Sequence, residues 1–501
     1  MTAETTEPSD EIAPTGIPGL DEIVRGGVPK HQMYFIQGDP GAGKTTLSFQ
    51  FLMEGVRRGE KAMYVTLSAS ARDLQRVARS HGWDLTGVHI HEQFKVDGGS
   101  DTTIFRPADL ELAKTVRAIL DSIEAHQPER VVIDSLGEIR LLSDSLVRYR
   151  KQLLAMKEFF RERSITALVL DSAGTLESEI QGLAEGVIVL RVSAPLYGET
   201  RRSIEVVKLR GVGFRSGGHD FTIAKGGLVV FPRLSAGQHV VSRDSRVMQS
   251  GVDSIDGLVG GGLERGSATL IMGPAGVGKS SLAMQFAATA AASGERVAFF
   301  IFEEHRTIFV KRCASLGFDV EALSKSGNLL IHQIDPAEMS PGEFAYAVRT
   351  AVETKGSSMV VIDSLNGYFN AMPQEHYLTL HLHELLSYLT DAAVTTIVIV
   401  SQHGAVGQVS SPVDVSYLAD SVILLRYYET RGAFGRAISM LKKRTSAHEQ
   451  SVREYHLTPS GVRLGPVLHG FRGILAGMQA SEGPSEEQKP NVPTPNVPTP
   501  P

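Results

Sequence analysis

The sequence predicts an α/β protein written twice, as two tandem domains that are each a mostly parallel sheet flanked by helices. Three observations carry that prediction. First, two glycine-rich segments, GDPGAGKT at Gly38–Thr45 and GPAGVGKS at Gly273–Ser280, stand 235 residues apart. Second, the same register aligns other landmarks. Thr15-Gly16-Ile17-Pro18-Gly19-Leu20-Asp21 falls on Ser250-Gly251-Val252-Asp253-Ser254-Ile255-Asp256, and Gly26-Gly27 falls on Gly261-Gly262. VVIDSL recurs with Asp134 and Asp363 separated by 229, and KLR at Lys208–Arg210 returns as KKR at Lys442–Arg444 after 234. A near-constant offset means a duplicated domain and not a solenoid, because each copy is long enough to fold alone. Third, short apolar runs alternate with amphipathic stretches in both copies, the pattern of a parallel sheet covered on both faces.

The elements follow in order. In copy one, QMYFIQG, AMYVTL, RVVIDS and TALVLDS read as buried strands, and ELAKTVRAILDSIEAH reads as a helix. Copy two repeats them with SATLIMG, RVAFFIF, SMVVIDS and TTIVIVSQ. SIEVVKLRG and AISMLKKRT alternate more strictly and predict an antiparallel extension of each sheet. The expected boundaries are a disordered start over 1–13, a first domain over 14–232 and a linker over 233–249. A second domain spans 250–476, and a disordered tail over 477–501 ends in NVPTPNVPTPP, which cannot build a core.

Composition excludes several function classes. The 501 residues allow two to four domains, and 42% hydrophobic with 21% charged residues is ordinary for a soluble globular chain. A net charge of −6 removes the bulk electrostatic case for a nucleic-acid coat or an anionic-membrane binder. The single cysteine, Cys313, rules out an intrachain disulfide framework and a Cys-rich zinc site, and reads as a small buried residue. The start MTAETTEPSD is not a secretory leader, and no apolar run approaches the roughly 18 residues of a membrane span, so a soluble, cytoplasmic protein is expected.

G-x-x-x-x-G-K-[ST] between a strand and a helix is a phosphate-binding loop. Its glycines Gly38, Gly41 and Gly43, and Gly273, Gly276 and Gly278, let backbone N–H groups face phosphate oxygens at a helix N-terminus. Lys44 and Lys279 are expected at the β- and γ-phosphates, and Thr46 and Ser281 extend the nucleotide contact. Thr45 and Ser280 are expected on Mg2+, with Asp134 and Asp363 at the ends of the VVIDS strands as its further support. Hydrolysis also needs a carboxylate to orient or deprotonate water. Copy two offers Glu303 and Glu304 after its second strand, where copy one has Ser68 and Ala69. The structural alternative for the pair is an acidic helix start that complements the dipole. Gln402, after the fourth strand of copy two, is a candidate γ-phosphate sensor, while copy one has Asp171-Ser172-Ala173 there.

Together these motifs, in order and spacing, resemble the KaiC family of RecA-like ATPases, from about Pro14 to Phe471. The stretch Leu418–Leu457 is especially similar to the family's C-terminal domain. The resemblance implies two RecA-like domains and a homo-oligomer, a double-ring hexamer with ATP between neighbouring subunits. It implies that Lys208 and Arg210 reach the neighbour's nucleotide in the first ring, and Lys442 and Arg444 in the second. Cations supplied in trans suit phosphoryl transfer, whereas the alternative is a pair of solvated edge-strand cations. Clock members of the family phosphorylate an adjacent Ser and Thr. Here the stretch Asp414–Asp420 keeps Ser416, and Tyr417 replaces the threonine. The expected function is an Mg·ATP-dependent ATPase with hydrolysis mainly in the second domain and autophosphorylation at Ser416. Two rivals are an ATP-switched scaffold that recruits a signalling partner and a DNA-dependent motor. The net charge and the lack of a basic, aromatic-rich segment count against nucleic acid.

Overall fold

The structure, a computed structural model, describes residues 11–93, 108–143, 145–172, 178–194, 198–234, 246–370, 378–402, 416–430, 433–469, 471–472 and 480–481. Residues 1–10, Ala173, Asp414, Val415 and all but two residues of the expected tail lie outside them. The chain divides into two compact units, Met1–Leu234 with Ala337–Ala347, and Ser235–Pro336 with Val348–Pro501.

The first unit is built on a nine-stranded sheet. Its strands are β1 (Met33–Gly38), β2 (Ala62–Thr66), β3 (Val88–Glu92), β4 (Arg130–Asp134), β5 (Thr166–Ser172), β6 (Gly186–Ser193), β7 (Arg201–Leu209), β8 (Gly218–Ala224) and β9 (Gly227–Phe231). Their order across the sheet is β9-β8-β7-β6-β1-β5-β4-β2-β3. The second unit repeats this with β10 (Ala268–Pro274), β11 (Val297–Ile301), β12 (Leu329–Gln333), β13 (Met359–Asp363), β14 (Thr395–Gln402), β15 (Ser421–Thr430), β16 (Ala433–Lys443), β17 (Arg453–Thr458) and β18 (Gly461–Val467). The order there is β12-β11-β13-β14-β10-β15-β16-β17-β18, the same topology. In each sheet the six strands from β3 to β6, or β12 to β15, are parallel, and the last three run antiparallel.

The parallel strands read as unbroken apolar runs because both faces are covered. On one face of the first sheet, Phe49, Phe51 and Leu52 of helix Lys44–Arg57 pack on Tyr34, Ile36, Tyr64, Val132 and Leu168. On the other, Val116, Ile119 and Ile123 of helix Ala108–His126, with Leu153, Met156 and Phe160 of helix Leu146–Glu162, pack on Phe35, Val131 and Val169. Each such fully buried side chain contributes about 1.5–3 kcal/mol against leaving it in water. Every parallel strand therefore ends on one rim of its sheet, and that rim carries the phosphate loops.

Three boundaries differ from expectation: Ala480–Ser481, inside the expected tail, pairs with Phe471–Arg472, and both domain starts move. Ile12–Ala13 pairs with Val28–Pro29, and Val247–Met248 pairs with Leu263–Glu264, so ordered chain begins before residue 14 and the expected linker ends before 249. Burial of Ala13 and Met248 fixes these straps, which are too short to show a period in the sequence. The shared [ST]-G-x-x-x-[IL]-D motif is also structural. The Asp21 carboxylate accepts from Thr15 N at 2.7 Å and Thr15 Oγ1 at 2.8 Å, and Asp256 accepts from Ser250 N at 2.7 Å.

Candidate functional site

Helices Lys44–Arg57 and Lys279–Ala292 both start from a glycine in the left-handed region, Gly43 at φ 101° and Gly278 at φ 107°. A side chain there is strained, and a Cβ would lie 2.7 Å from Ile223 Cδ1 or 2.8 Å from Tyr455 Cε1. No side chain caps either helix, which leaves the first backbone N–H groups of each for an anion such as phosphate. Lys44 Nζ folds back to donate to Gly38 O at 2.6 Å and Asp39 O at 3.1 Å, and Lys279 Nζ donates to Pro274 O at 2.8 Å. Thr46 and Ser281 are buried one residue beyond the loops.

The structure brings each lysine to its strand-end aspartate. Burial lowers the Lys44 ammonium from its ordinary value, opposed by the charges of Asp134, Asp171 and Asp39. Burial lowers Lys279 further, to about 8, against Asp363 and Glu303. Asp134 and Asp363 are both raised by burial, Asp363 to about 6. A hydrogen bond with Ser280 and the Arg312 and Lys279 charges oppose the rise at Asp363. At the second site residue types and placement fit Mg2+ shared with phosphate oxygens, which needs one or two carboxylates and a hydroxyl in place of a full protein cage. Among the described residues no group of three or more His, Cys, Asp or Glu side chains forms such a cage.

The two sites then diverge. Both keep one backbone bond from the residue after the second strand, Phe302 N to Asp363 O and Leu67 N to Asp134 O at 2.8 Å each, but only the second follows it with carboxylates, Glu303 and Glu304, where the first has Ser68 and Ala69. Glu303 packs on Gly367, whose Cβ would stand 3.0 Å from Glu303 Cγ, and its charge acts on Lys279. Glu304 is held otherwise. Arg312, two turns along helix Arg306–Ser315, donates to it from Nη2 at 2.6 Å and Nε at 3.2 Å. Gln402, at the end of β14, accepts from Arg426 Nη1, a buried arginine of β15. In the first site the loop after β2 closes on itself, with Thr66 Oγ1 donating to Ala69 O at 2.8 Å. The Asp134 carboxylate is instead covered by Tyr64 Oη, which donates to Oδ2 at 2.5 Å. Tyr64, Asp171, Arg312 and Arg426 carry no motif, and only a register comparison of the copies marks them: Tyr64 replaces Phe299 and Val77 stands where the second copy has Arg312.

The K-x-R cations lie away from their own loops. Lys208 pairs beside Val187 near the start of β6, whereas Gly38 is level with Leu190. Lys208 Nζ donates to Ala184 O at 2.6 Å and Gly182 O at 3.1 Å, and Arg210 stands 3.7 Å from Glu185. In the second unit Lys442 Nζ donates to Ala419 O at 2.7 Å and Ser416 O at 3.0 Å. Arg444 donates to Tyr417 O at 3.2 Å and lies 3.7 Å from Asp420. Lys443, between them, is a buried structural cation, bonded to Val259 O, Gly262 O and Glu264. Cys313 is buried and its thiol is pushed up to about 12 by burial, so it is inert. Among the described residues no helix is long and apolar enough to cross a membrane.

Comparison with known proteins agrees with this double site. The family model for the KaiC ATPase domain matches residues 13–235 and again 248–468. The chain is 28% identical to the circadian clock protein KaiC3 of Synechocystis sp. over 487 residues, 95% of this chain and 96% of that protein. It is 29% identical to the circadian clock oscillator protein KaiC of Parathermosynechococcus lividus over 482 residues, 92% and 87% of the two chains. For the KaiC of Thermosynechococcus vestitus the figures are 28% identity, 95% and 94%. With two nucleotide-loop domains in the same topology, each matched by the same model over nearly its full length, the chain belongs to the KaiC family of ATPases.

Proposed function

We propose that this protein is an ATP-fuelled ring in which the second site hydrolyses ATP and the first holds it to build the ring. The observation that carries this reading is the carboxylate Glu303, whose charge acts on Lys279, with Glu304 acting on Asp363, against Ser68 and Ala69 at the matching place in the first site. At the second site the loop N–H groups and Lys279 bind the β- and γ-phosphates. Glu303 orients the attacking water and accepts its proton, because Glu304 is engaged by Arg312. At this second site Mg2+ would be held by Ser280 and, through water, by Asp363, and would neutralise charge on the phosphate oxygens.

Lys208, Arg210, Lys442 and Arg444 sit too far down their sheets to meet their own loops, which favours contact with a neighbour's nucleotide. Ser416 shares that end of the second sheet, with its carbonyl on Lys442. If Lys442 meets the neighbour's γ-phosphate, Ser416 is carried towards it through its carbonyl contact with that lysine. The Ser416 hydroxyl would then replace water as nucleophile, forming a new O–P bond as the bond to the ADP oxygen breaks and Glu303 of the neighbouring subunit takes the proton.

Release of labelled phosphate and labelling of the protein from γ-labelled ATP test this together. Lys279→Ala and Glu303→Gln are expected to reduce release at least about 100-fold, the usual scale for an acid–base group. Lys44→Ala is expected to impair assembly first, and Ser416→Ala to remove the label. Turnover that depends on Lys44 and survives Glu303→Gln would place hydrolysis in the wrong site.

A further inference from the structure

The two metal-side aspartates are not held alike. In the second site Ser280 bonds Asp363 directly, and the nearby strand residue is Phe299, which packs on Phe309 and has no polar atom to offer. In the first site the equivalent of Phe299 is Tyr64, buried and braced against Phe49 of the loop helix with ring centroids 5.2 Å apart. Its hydroxyl stands between the two groups expected on the metal. It donates to Asp134 Oδ2 at 2.5 Å and also hydrogen-bonds with the Thr45 side chain. The carboxylate is thus linked to the loop hydroxyl through a phenol, and one of its oxygens already accepts a charge-assisted hydrogen bond.

We propose that Tyr64 sets the metal dependence of the first site, making it hold ATP with little help from Mg2+. A metal-bound water must donate to Asp134 to be held by it, and the Tyr64 hydroxyl already occupies Oδ2, so it takes up part of the acceptor capacity that such a water would use. ATP at this site is then gripped by the loop N–H groups and Lys44, a mode suited to holding a nucleotide and not to turning it over. The inference rests on the first loop being an ATP site, as proposed above.

The test is equilibrium binding of a fluorescent ATP analogue to the full chain carrying Lys279→Ala, which leaves the first loop alone, in Mg2+ and in EDTA. The expected ratio of the dissociation constant in EDTA to that in Mg2+ is near one. Adding Tyr64→Phe, the residue that the second copy tolerates at this position, is expected to raise the ratio about tenfold, the scale of one hydrogen bond to a charged group. The reciprocal Phe299→Tyr in a Lys44→Ala chain is expected to lower the ratio at the second site. A ratio that Tyr64→Phe leaves unchanged or lowers overturns the proposal. Absence of binding in both Mg2+ and EDTA overturns the first-site reading itself, and this proposal with it.

Discussion

At the scale of single residues, Asp363 is the carboxylate whose ionisation the fold resists most visibly. Its folded value, about 6, lies above the ordinary 3.8, so burial favours the protonated form. The associated stability is present below about pH 4 and is lost as pH rises through 6. Asp363→Asn is therefore expected to stabilise the nucleotide-free protein by up to ~3 kcal/mol above pH 6, with the gain vanishing towards pH 4. Urea unfolding at pH 8 and pH 4 checks the sign; a variant less stable at pH 8 contradicts it. Arg312 is a second residue-scale case. Its pairing with Glu304 is only about two-thirds buried, so Arg312→Ala is expected to cost about 1–2 kcal/mol, less than a fully buried pair would. The loop lysines, the hydroxyls after them and the strand-end aspartates were legible in the sequence, because a short contiguous motif places them. Arg312 and Tyr64 were not. Each meets its partner only after a helix or a strand has been set beside another, and a lone arginine or tyrosine has no pattern of its own.

At the scale of elements, the loop-to-helix turn depends on a left-handed residue. Gly278→Ala is expected to abolish nucleotide binding at the second site and to lower stability by about 1 kcal/mol or more, since the Cβ would both strain φ and press on Tyr455. Nucleotide titration and thermal melts of the variant check both effects. Unchanged binding would show that the loop does not need this geometry. The parallel strands could be read because burial on both faces leaves an unbroken apolar signature, as in MVVID of β13. The antiparallel extension showed in the alternation of SIEVVKL. The straps Ile12–Ala13 and Val247–Met248 could not be read, since two residues carry no period and their pairing is fixed by partners about 15 residues on.

At the scale of the whole molecule, the proposed ring makes each second-site nucleotide the work of two subunits. A chain with Lys442→Ala and Arg444→Ala keeps its own loop and Glu303, whereas a Glu303→Gln chain keeps its cations. Each is expected to be nearly inactive alone. Their mixture is expected to recover activity, because some interfaces then pair an intact Glu303 with an intact Lys442 and Arg444. Phosphate release by the mixture against the mean of the two separate samples measures this. No gain on mixing, with subunit exchange verified, would mean that these cations act within their own chain.

The division of labour between the two sites is tested most directly by the nucleotide that the protein retains. After incubation with Mg·ATP and rapid removal of free nucleotide, the wild type is expected to carry ATP at its first site and ADP at its second. The Lys279→Ala chain, which keeps only the first site, is expected to retain ATP alone. ADP as the sole nucleotide retained by Lys279→Ala would show that the first site hydrolyses without Glu303, contradicting the account at its centre.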